Sequence, residues 1–194
     1  MANSFQKNIL AKHSYEPSLN GEGRELLVRK DADTTGNWNV WETNTYNGST
    51  IDTWMNGDYK NRFSETVKTM MGSTTIPYTI GGGDYSLSQI TRSIFALSLT
   101  ELGGSDIAAN VEGSAVPIAA TLQSVNQVGN YTSQWTRTPD IDETGNFNHR
   151  AYEIRDFPSD PFFAELCRYN SIYRPAFTLP RGAFVDVNLN LIEE

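Results

Sequence analysis

YNGSTIDTWMNGDYKNRF, residues 46–63, is the stretch whose reading decides the fold. Asn47-Gly48 is a turn dipeptide, and Ser49 or Thr50 suits the cap of a following helix. Asp52 stands where a capping-box acid supports the first turn. Ile51, Trp54 and Met55 fall at i, i+3 and i+4, a single apolar stripe. Asn56 and Gly57 both tolerate left-handed backbone, so the spacing predicts that the helix stops there, with Tyr59 and Phe63 carrying the apolar face onward. A Trp on so short a helix brings too much apolar area to leave in water, so the segment is expected to plug the core with Trp54 buried. Nothing in it forms a catalytic constellation.

The rest of the chain must supply a core for that plug. With 194 residues, 38% hydrophobic and 20% charged, the sequence suits one globular domain, or one domain with an arm. The net charge of −8 and the absence of any basic run argue against nucleic acid as a partner, because phosphate binding needs clustered Lys and Arg. Cys167 is the single cysteine, which excludes an internal disulfide and a multi-cysteine zinc site; beside Phe163 and Leu166 it reads as a small buried hydrophobe. Residues 1–24 lack the apolar stretch of a signal peptide, and no run reaches the ~20 apolar residues of a membrane span, so synthesis and folding in a cytoplasm without membrane insertion are expected.

Working outward from the plug, Ser64 caps a second helix, Glu65 to Met71, with Val67, Met70 and Met71 on its inner face and Gly72 as its stop. Upstream, ELLVRK (25–30) reads as a strand. Downstream, Thr75 to Tyr78 is extended, and Pro77 places it at an edge or a strand start. SIFALSL (93–99) is apolar enough to be a central strand, with Phe95 and Leu97 buried. Pro117 starts a helix to about Val125. Gln134 to Thr138 is a strand with Trp135 in the core, ended by Pro139; Arg150 to Arg155 alternates as a strand; residues 156–173 form an irregular loop. Arg174 to Leu179, Ala183 to Val187 and Leu189 to Ile192 are short strands. Helices early and short antiparallel strands late give an α+β class.

Residues 1–24 form a polar, turn-rich arm ahead of a domain at 25–194. Phe5, Ile9 and Leu10 are its clustered apolar residues, with the makings of one weak helical turn. Such an arm does not fold alone; a neighbouring subunit and the arm's own domain are equally good supports.

Chemistry-bearing motifs are sparse. Asp31-Ala-Asp33-Thr-Thr35-Gly36 with Glu42 has calcium-loop spacing, and Asp140-Ile-Asp142-Glu-Thr144-Gly145 repeats its first half. The same residues are ordinary hairpin-turn composition, and a strand rather than a helix precedes the first loop, which favours turns over metal. Gly81-Gly82-Gly83 lacks phosphate-loop spacing. His13 and His149 are the only histidines, no nucleophile elbow occurs, and the carboxylates are scattered, so no catalytic residue, metal or cofactor is expected. Aromatic and planar polar side chains interleave at 131–152, which suits a sugar-binding face. The candidate ligand-binding residues there are Arg137, Asp140, Asp142, Asn146, Asn148, His149 and Tyr152. The segment Thr138 to His149 and the loop Gly81 to Asp84 are expected on an exposed rim.

Taken together, LLVRKDA (26–32), the opening stretch, IFALSLTELGG (94–104), WTRTP (135–139) and RPAFTLP (174–180) resemble an uncharacterised domain family of bacteriophage virion proteins and gut Firmicutes surface proteins. That family is distantly similar to the C-type-lectin and formylglycine-generating-enzyme fold, where a Trp-x-Arg strand and a late Arg-Pro-Ala strand bracket variable loops. The resemblance implies a mixed, mainly antiparallel sheet with a few short helices and long loops. It carries over no catalytic residue: the formylglycine branch uses paired cysteines, and the Glu-Pro-Asn, Gln-Pro-Asp and Trp-Asn-Asp motifs of calcium-dependent lectins do not occur here.

The function so implied is a non-enzymatic virion structural protein, assembled in a host cytoplasm, that displays the domain for host attachment or particle decoration on tail, baseplate or capsid. Other virion proteins, further copies of the chain as a homo-oligomer, and a host surface glycan are the expected partners, with Phe5, Ile9 and Leu10 docking the arm. A glycan or cell-wall hydrolase of a phage tail and a bacterial surface adhesin are the alternatives.

Overall fold

The computed structural model describes residues 9–14, 24–29, 35–36, 45–79, 87–98, 134–141, 147–154, 162–166, 171–172, 175–186 and 188–193. Over these the chain runs β1 (Ile9–Ser14), β2 (Arg24–Arg29), β3 (Thr35–Gly36), α1 (Thr50–Trp54), α2 (Glu65–Met70), β4 (Thr74–Thr79), β5 (Leu87–Arg92), β6 (Ile94–Ala96), β7 (Gln134–Ile141), β8 (Phe147–Ile154), β9 (Phe162–Leu166), β10 (Ser171–Ile172), β11 (Pro175–Pro180), β12 (Ala183–Val185) and β13 (Leu191–Glu193). Short helices and mostly antiparallel sheets make this an α+β architecture. The expected helix from Pro117 and the Gly81–Asp84 loop lie outside the described residues, as does Cys167.

The strand that organises the core is β11. Its residues Pro175 to Leu179 are buried without polar alternation, as in a strand covered on both faces. It lies between β2 and β6 in a four-stranded sheet of order β1-β2-β11-β6. The middle of β2 is also apolar, with Leu26 and Leu27 both buried. A second sheet has the order β3-β10-β7-β8-β9, and β4-β5 and β12-β13 are separate hairpins. Among the described residues SIFALSL is therefore not a central strand: β6 is short and ends its sheet. It is buried all the same, because the Arg137 N–H donates to the Leu97 carbonyl at 3.0 Å and continues the backbone into β7.

Residues 9–14 of the arm pair antiparallel with β2, Lys12 opposite Leu27 and His13 opposite Leu26. The arm thus rests on its own sheet, one of its two expected supports, and Ile9 and Leu10 are extended rather than helical. Phe5 lies outside the described residues.

Around the opening stretch the capping chemistry is as the spacing implies. The Ser49 side chain accepts from the Asp52 N–H, and the Ser64 side chain accepts from the Val67 N–H. The predicted stop at Asn56-Gly57 does not occur. The chain continues through a π turn at Met55–Tyr59 and a tight turn at Lys60–Arg62. Among the described residues only Gly48, Gly182 and Leu189 have positive φ, so Asn56 and Gly57 stay helical. Continuation is enforced from outside: the Asn56 amide donates to the Ile94 carbonyl at 2.8 Å and accepts from the Ile94 N–H at 3.3 Å.

The core plug is Ile51, Met55, Tyr59 and Phe63, all buried, with Phe63 edge-on to Phe177 of β11 at 5.2 Å. Trp54 is only half-buried; its ring lies against Tyr59 at 4.9 Å with the Arg62 guanidinium over it at 5.8 Å. The π turn and the Tyr59-Phe63 pair take the central position that the stripe assigned to Trp54. Trp135, Phe95 and Leu97 are buried as expected.

The C-terminal end of α2 is docked by Arg24, which donates to the Met70 carbonyl at 2.6 Å and to the Thr178 carbonyl at 2.9 Å. Gly72 is there for close approach rather than for a left-handed stop: a Cβ would sit 2.5 Å from Arg24 Nε and Thr178 Oγ1.

Late in the chain the strands are longer than the pattern predicts. β7 runs through Pro139, which pairs with Ala151 beyond a register shift; an irregular ladder tolerates the missing N–H. Within 156–173, Phe162 to Leu166 pairs regularly with β8, and Ile172 pairs with Thr35 and Gln134. Leu189 is not a strand residue but a left-handed turn position at φ 63°, held by Asp186, whose Oδ1 accepts from the Asn188 and Asn190 N–H groups.

Candidate functional site

Two polar assemblies stand out, one buried and one open. The buried one is Arg137. It is 1% exposed, and its guanidinium donates to the Ala96 carbonyl and to the Pro77 carbonyl, each at 2.9 Å. It clamps β7 to β6 and to the β4-β5 hairpin. This removes Arg137 from the surface binding set that the interleaved pattern suggested. Thr138, expected on the exposed rim, is likewise buried. Trp135, Thr136, Arg137, Thr138 and Pro139 are all interior, so the exposed part of that segment cannot begin before Asp140.

Of the other candidates, Asp140 is on β7, opposite Arg150, and Asn148, His149 and Tyr152 are on β8, where Tyr152 stands opposite Ala164 of β9. Their backbone positions bring them to one antiparallel ladder. Asp142 and Asn146 lie outside the described residues. Of the calcium-like loops, Thr35 and Gly36 form β3 against β10 and Asp140 belongs to β7. Among the described residues no group of three or more His, Cys, Asp and Glu side chains could hold a metal ion, and no helix is long and apolar enough to cross a membrane.

The open assembly lies where α1 and the π turn meet β5. Gly48, Asp52, Thr53, Asn56, Gly57, Thr91, Arg92 and Ser93 line an open groove of about 560 Å³. Its floor is an ion pair. Arg92 Nε donates to Asp52 Oδ1 at 2.7 Å and Nη2 donates to Asp52 Oδ2 at 2.8 Å, a two-pronged contact. The Asp52 side chain is 3% exposed and that of Arg92 26%. The carboxylate also accepts from the Gly48 N–H at 2.9 Å and from the Asn56 amide at 3.2 Å. Arg92 further donates to Asn47 Oδ1 at 2.8 Å, and Asn47 donates to the Tyr78 hydroxyl. The hydrogen bond to Asp52 raises the Arg92 pKa above its ordinary value. Burial, followed by the Asp52 charge, pushes the nearby Tyr46 hydroxyl well up, so it stays protonated; its oxygen accepts from the Ala96 N–H at 2.9 Å.

The chemistry of this floor is closed. Asp52 accepts from four donors, two of them on the Arg92 cation, which suits a latch between α1 and β5. The rim differs. The Thr53 N–H donates to the Ser49 carbonyl at 2.9 Å, but its side-chain hydroxyl has no hydrogen-bond partner among the described residues. Ser93 accepts from Lys60 Nζ at 3.0 Å and keeps its own hydroxyl hydrogen. Arg92 Nη1 donates once, to the Thr91 carbonyl, and keeps its second N–H. Gly57 has no heavy atom within 4 Å of where a Cβ would stand, outside its own helix and neighbours. A glycine inside a helical segment costs about 0.5–1 kcal/mol relative to alanine, and neither backbone angle nor packing requires this one.

Sequence reasoning placed Asp52 on the helix but missed Arg92, Ser93 and all of β5, since it read 93–99 as one strand. Two signals were present. Asp52 is the one acid between two turn dipeptides, and Asn56-Gly57 interrupts a stripe that resumes at Tyr59.

The fold and groove thus define a small α+β scaffold with an open groove over the part-buried Asp52–Arg92 ion pair. The chain belongs to the family described as Domain of unknown function (DUF6273), which matches residues 22–181. No curated protein and no solved structure matches it.

Proposed function

We propose that this chain is a non-enzymatic bacteriophage virion structural protein that presents a C-type-lectin-like domain for host-surface attachment or particle decoration. The observation that carries the proposal is the ordered set of sequence blocks that resemble a domain family of bacteriophage virion proteins and gut Firmicutes surface proteins, all of which fall within the matched residues 22–181. Two structural facts support it. The Trp-x-Arg block lies on β7 and the late Pro-Ala-Phe block on β11, on separate sheets joined through Arg137 and Leu97, in keeping with a lectin-like frame. The paired charges Asp52 and Arg92 are bound to each other, which leaves this carboxylate committed to a structural contact, in line with a non-enzymatic role.

On this proposal the partners are other virion proteins and further copies of the chain, with residues 1–24 as the dock. Phe5, Ile9 and Leu10 remain the proposed anchors, and β1 offers the outer edge of its sheet to a neighbouring strand. Asp140 on β7 and Asn148, His149 and Tyr152 on β8, with Asp142 and Asn146, remain the proposed contact residues. The test is mass spectrometry and single-particle imaging of purified particles, with and without residues 2–20. The protein is expected on the intact particle and lost from it on deletion. Its absence from intact particles would remove the proposal; full occupancy after the deletion would remove the arm as the dock.

A further inference from the structure

We infer that the groove between the π turn and β5 is a saccharide-binding site for neutral, hydroxyl-rich ligands. This deepens the attachment proposal and rests on it for biological sense only. Three observations converge on the groove. Its volume, about 560 Å³, falls within the range of about 300–1,000 Å³ typical of small-molecule sites. Its lining is hydroxyl, amide and glycine around the Asp52–Arg92 pair, with no large apolar side chain to seat a peptide or lipid. Its floor charges, Asp52 and Arg92, cancel each other, so a charged ligand finds no unpaired counter-charge in the lining.

The second line of support is Gly57. The structure gives no backbone reason for a glycine there, since its φ is not positive, and no packing reason, since a Cβ would meet nothing. It nonetheless lines the groove. A site for close approach of a ligand accounts for both facts: the missing side chain keeps one wall open. The π turn, Met55–Tyr59, places Asn56 and Gly57 on that wall, and turns of this kind recur at functional positions in helices.

The hydrogen-bonding inventory sets the ligand class. The Thr53 hydroxyl, the Ser93 hydroxyl hydrogen and the second Nη1–H of Arg92 are donors without acceptors among the described residues. Both hydroxyl oxygens also accept. The Thr53 and Ser93 hydroxyls can both donate and accept, as sugar hydroxyls do, and a sugar oxygen can take the Arg92 N–H. Lys60, held on Ser93, is a cation beside the lining, and it gives the experiment its charged arm.

The test is saturation-transfer NMR on the full chain against neutral oligosaccharides of glucose, galactose, mannose, rhamnose and N-acetylglucosamine, with polygalacturonate and poly(glycerol phosphate) as charged probes. Any neutral sugar that binds is then titrated by calorimetry. At least one is expected to bind, and Gly57→Leu, which fills the groove, is expected to weaken it at least tenfold while leaving the melting temperature unchanged or raised. Thr53→Val should weaken the same ligand several-fold with the fold intact. No neutral sugar bound, binding by the charged polymers alone, or unchanged affinity in both variants would overturn the inference. A chain that binds no sugar yet sits on the particle loses this site and keeps its attachment role. A chain that binds sugar but is absent from particles keeps the site and loses the virion assignment.

Discussion

Breaking the Asp52–Arg92 latch from either side has unequal consequences, and the structure ranks them. Removing one partner of a buried ion pair costs about 3–5 kcal/mol, because a charge is left in low dielectric. Here the remaining charge differs in its recourse. Arg92→Ala leaves a carboxylate whose side chain is 3% exposed, though the Gly48 N–H and the Asn56 amide still reach it. Asp52→Ala leaves a guanidinium that is 26% exposed and can turn to water. Solvent screening on the arginine side discounts both figures. The expected losses are about 2–3 kcal/mol for Arg92→Ala and about 1.5–2 kcal/mol for Asp52→Ala, with the double variant near the larger single loss and a coupling of about 1.5–2 kcal/mol. Urea denaturation followed by tryptophan fluorescence reads all three, and for a chain of this size each kcal/mol shifts the melting temperature by about 2–4 °C. Additivity of the two single losses within about 0.5 kcal/mol would refute the latch, since residues that share no interaction energy add. A greater loss for Asp52→Ala than for Arg92→Ala would refute the exposure argument while leaving the pair intact.

Three further variants probe the frame. Gly72→Ala places a Cβ 2.5 Å from Arg24 Nε and Thr178 Oγ1, atoms pinned by their own hydrogen bonds, and should cost about 1–3 kcal/mol in thermal unfolding. Tyr46→Phe strips the buried Ala96 N–H of its acceptor at 2.9 Å and should cost about 1–3 kcal/mol by chemical denaturation, whereas a loss below about 0.5 kcal/mol would show that another group takes over. Arg137→Met frees the Pro77 and Ala96 carbonyls and should cost about 2–4 kcal/mol, with amide exchange at β6 and β4 accelerating before that at α1.

How far the chain could be read depended on whether the cause of a feature was local. Ser49 and Ser64 announce their helices because a cap is a contact within three residues. The apolar runs of β2, β6 and β11 likewise mark themselves as core. Features decided at long range were misread. Asn56-Gly57 looks like a stop until Ile94 holds the Asn56 side chain across 38 residues. Trp54 looks like the plug until the π turn hands the centre to Tyr59. Arg137 looks like a surface ligand because Arg usually is one, and only the carbonyls of Pro77 and Ala96 explain its burial. The groove was hidden for the same reason: its walls come from α1 and from β5, and no short window holds both.

The pairing of β2 with β11 sets a schedule for making the protein. Arg24 and Thr178 are bonded across 154 residues, and Leu26 and Leu27 find their neighbours Thr178 and Phe177 only at the far end of the chain. During synthesis, the β2 segment therefore emerges long before the strand that shields it. Until β11 leaves the ribosome, two large apolar side chains and an open sheet edge wait without their partner, which favours chaperone capture and makes early termination especially damaging. Closing so long a loop is also a slow step in refolding. A chain cut after β9 is expected to accumulate in inclusion bodies rather than as a smaller folded unit.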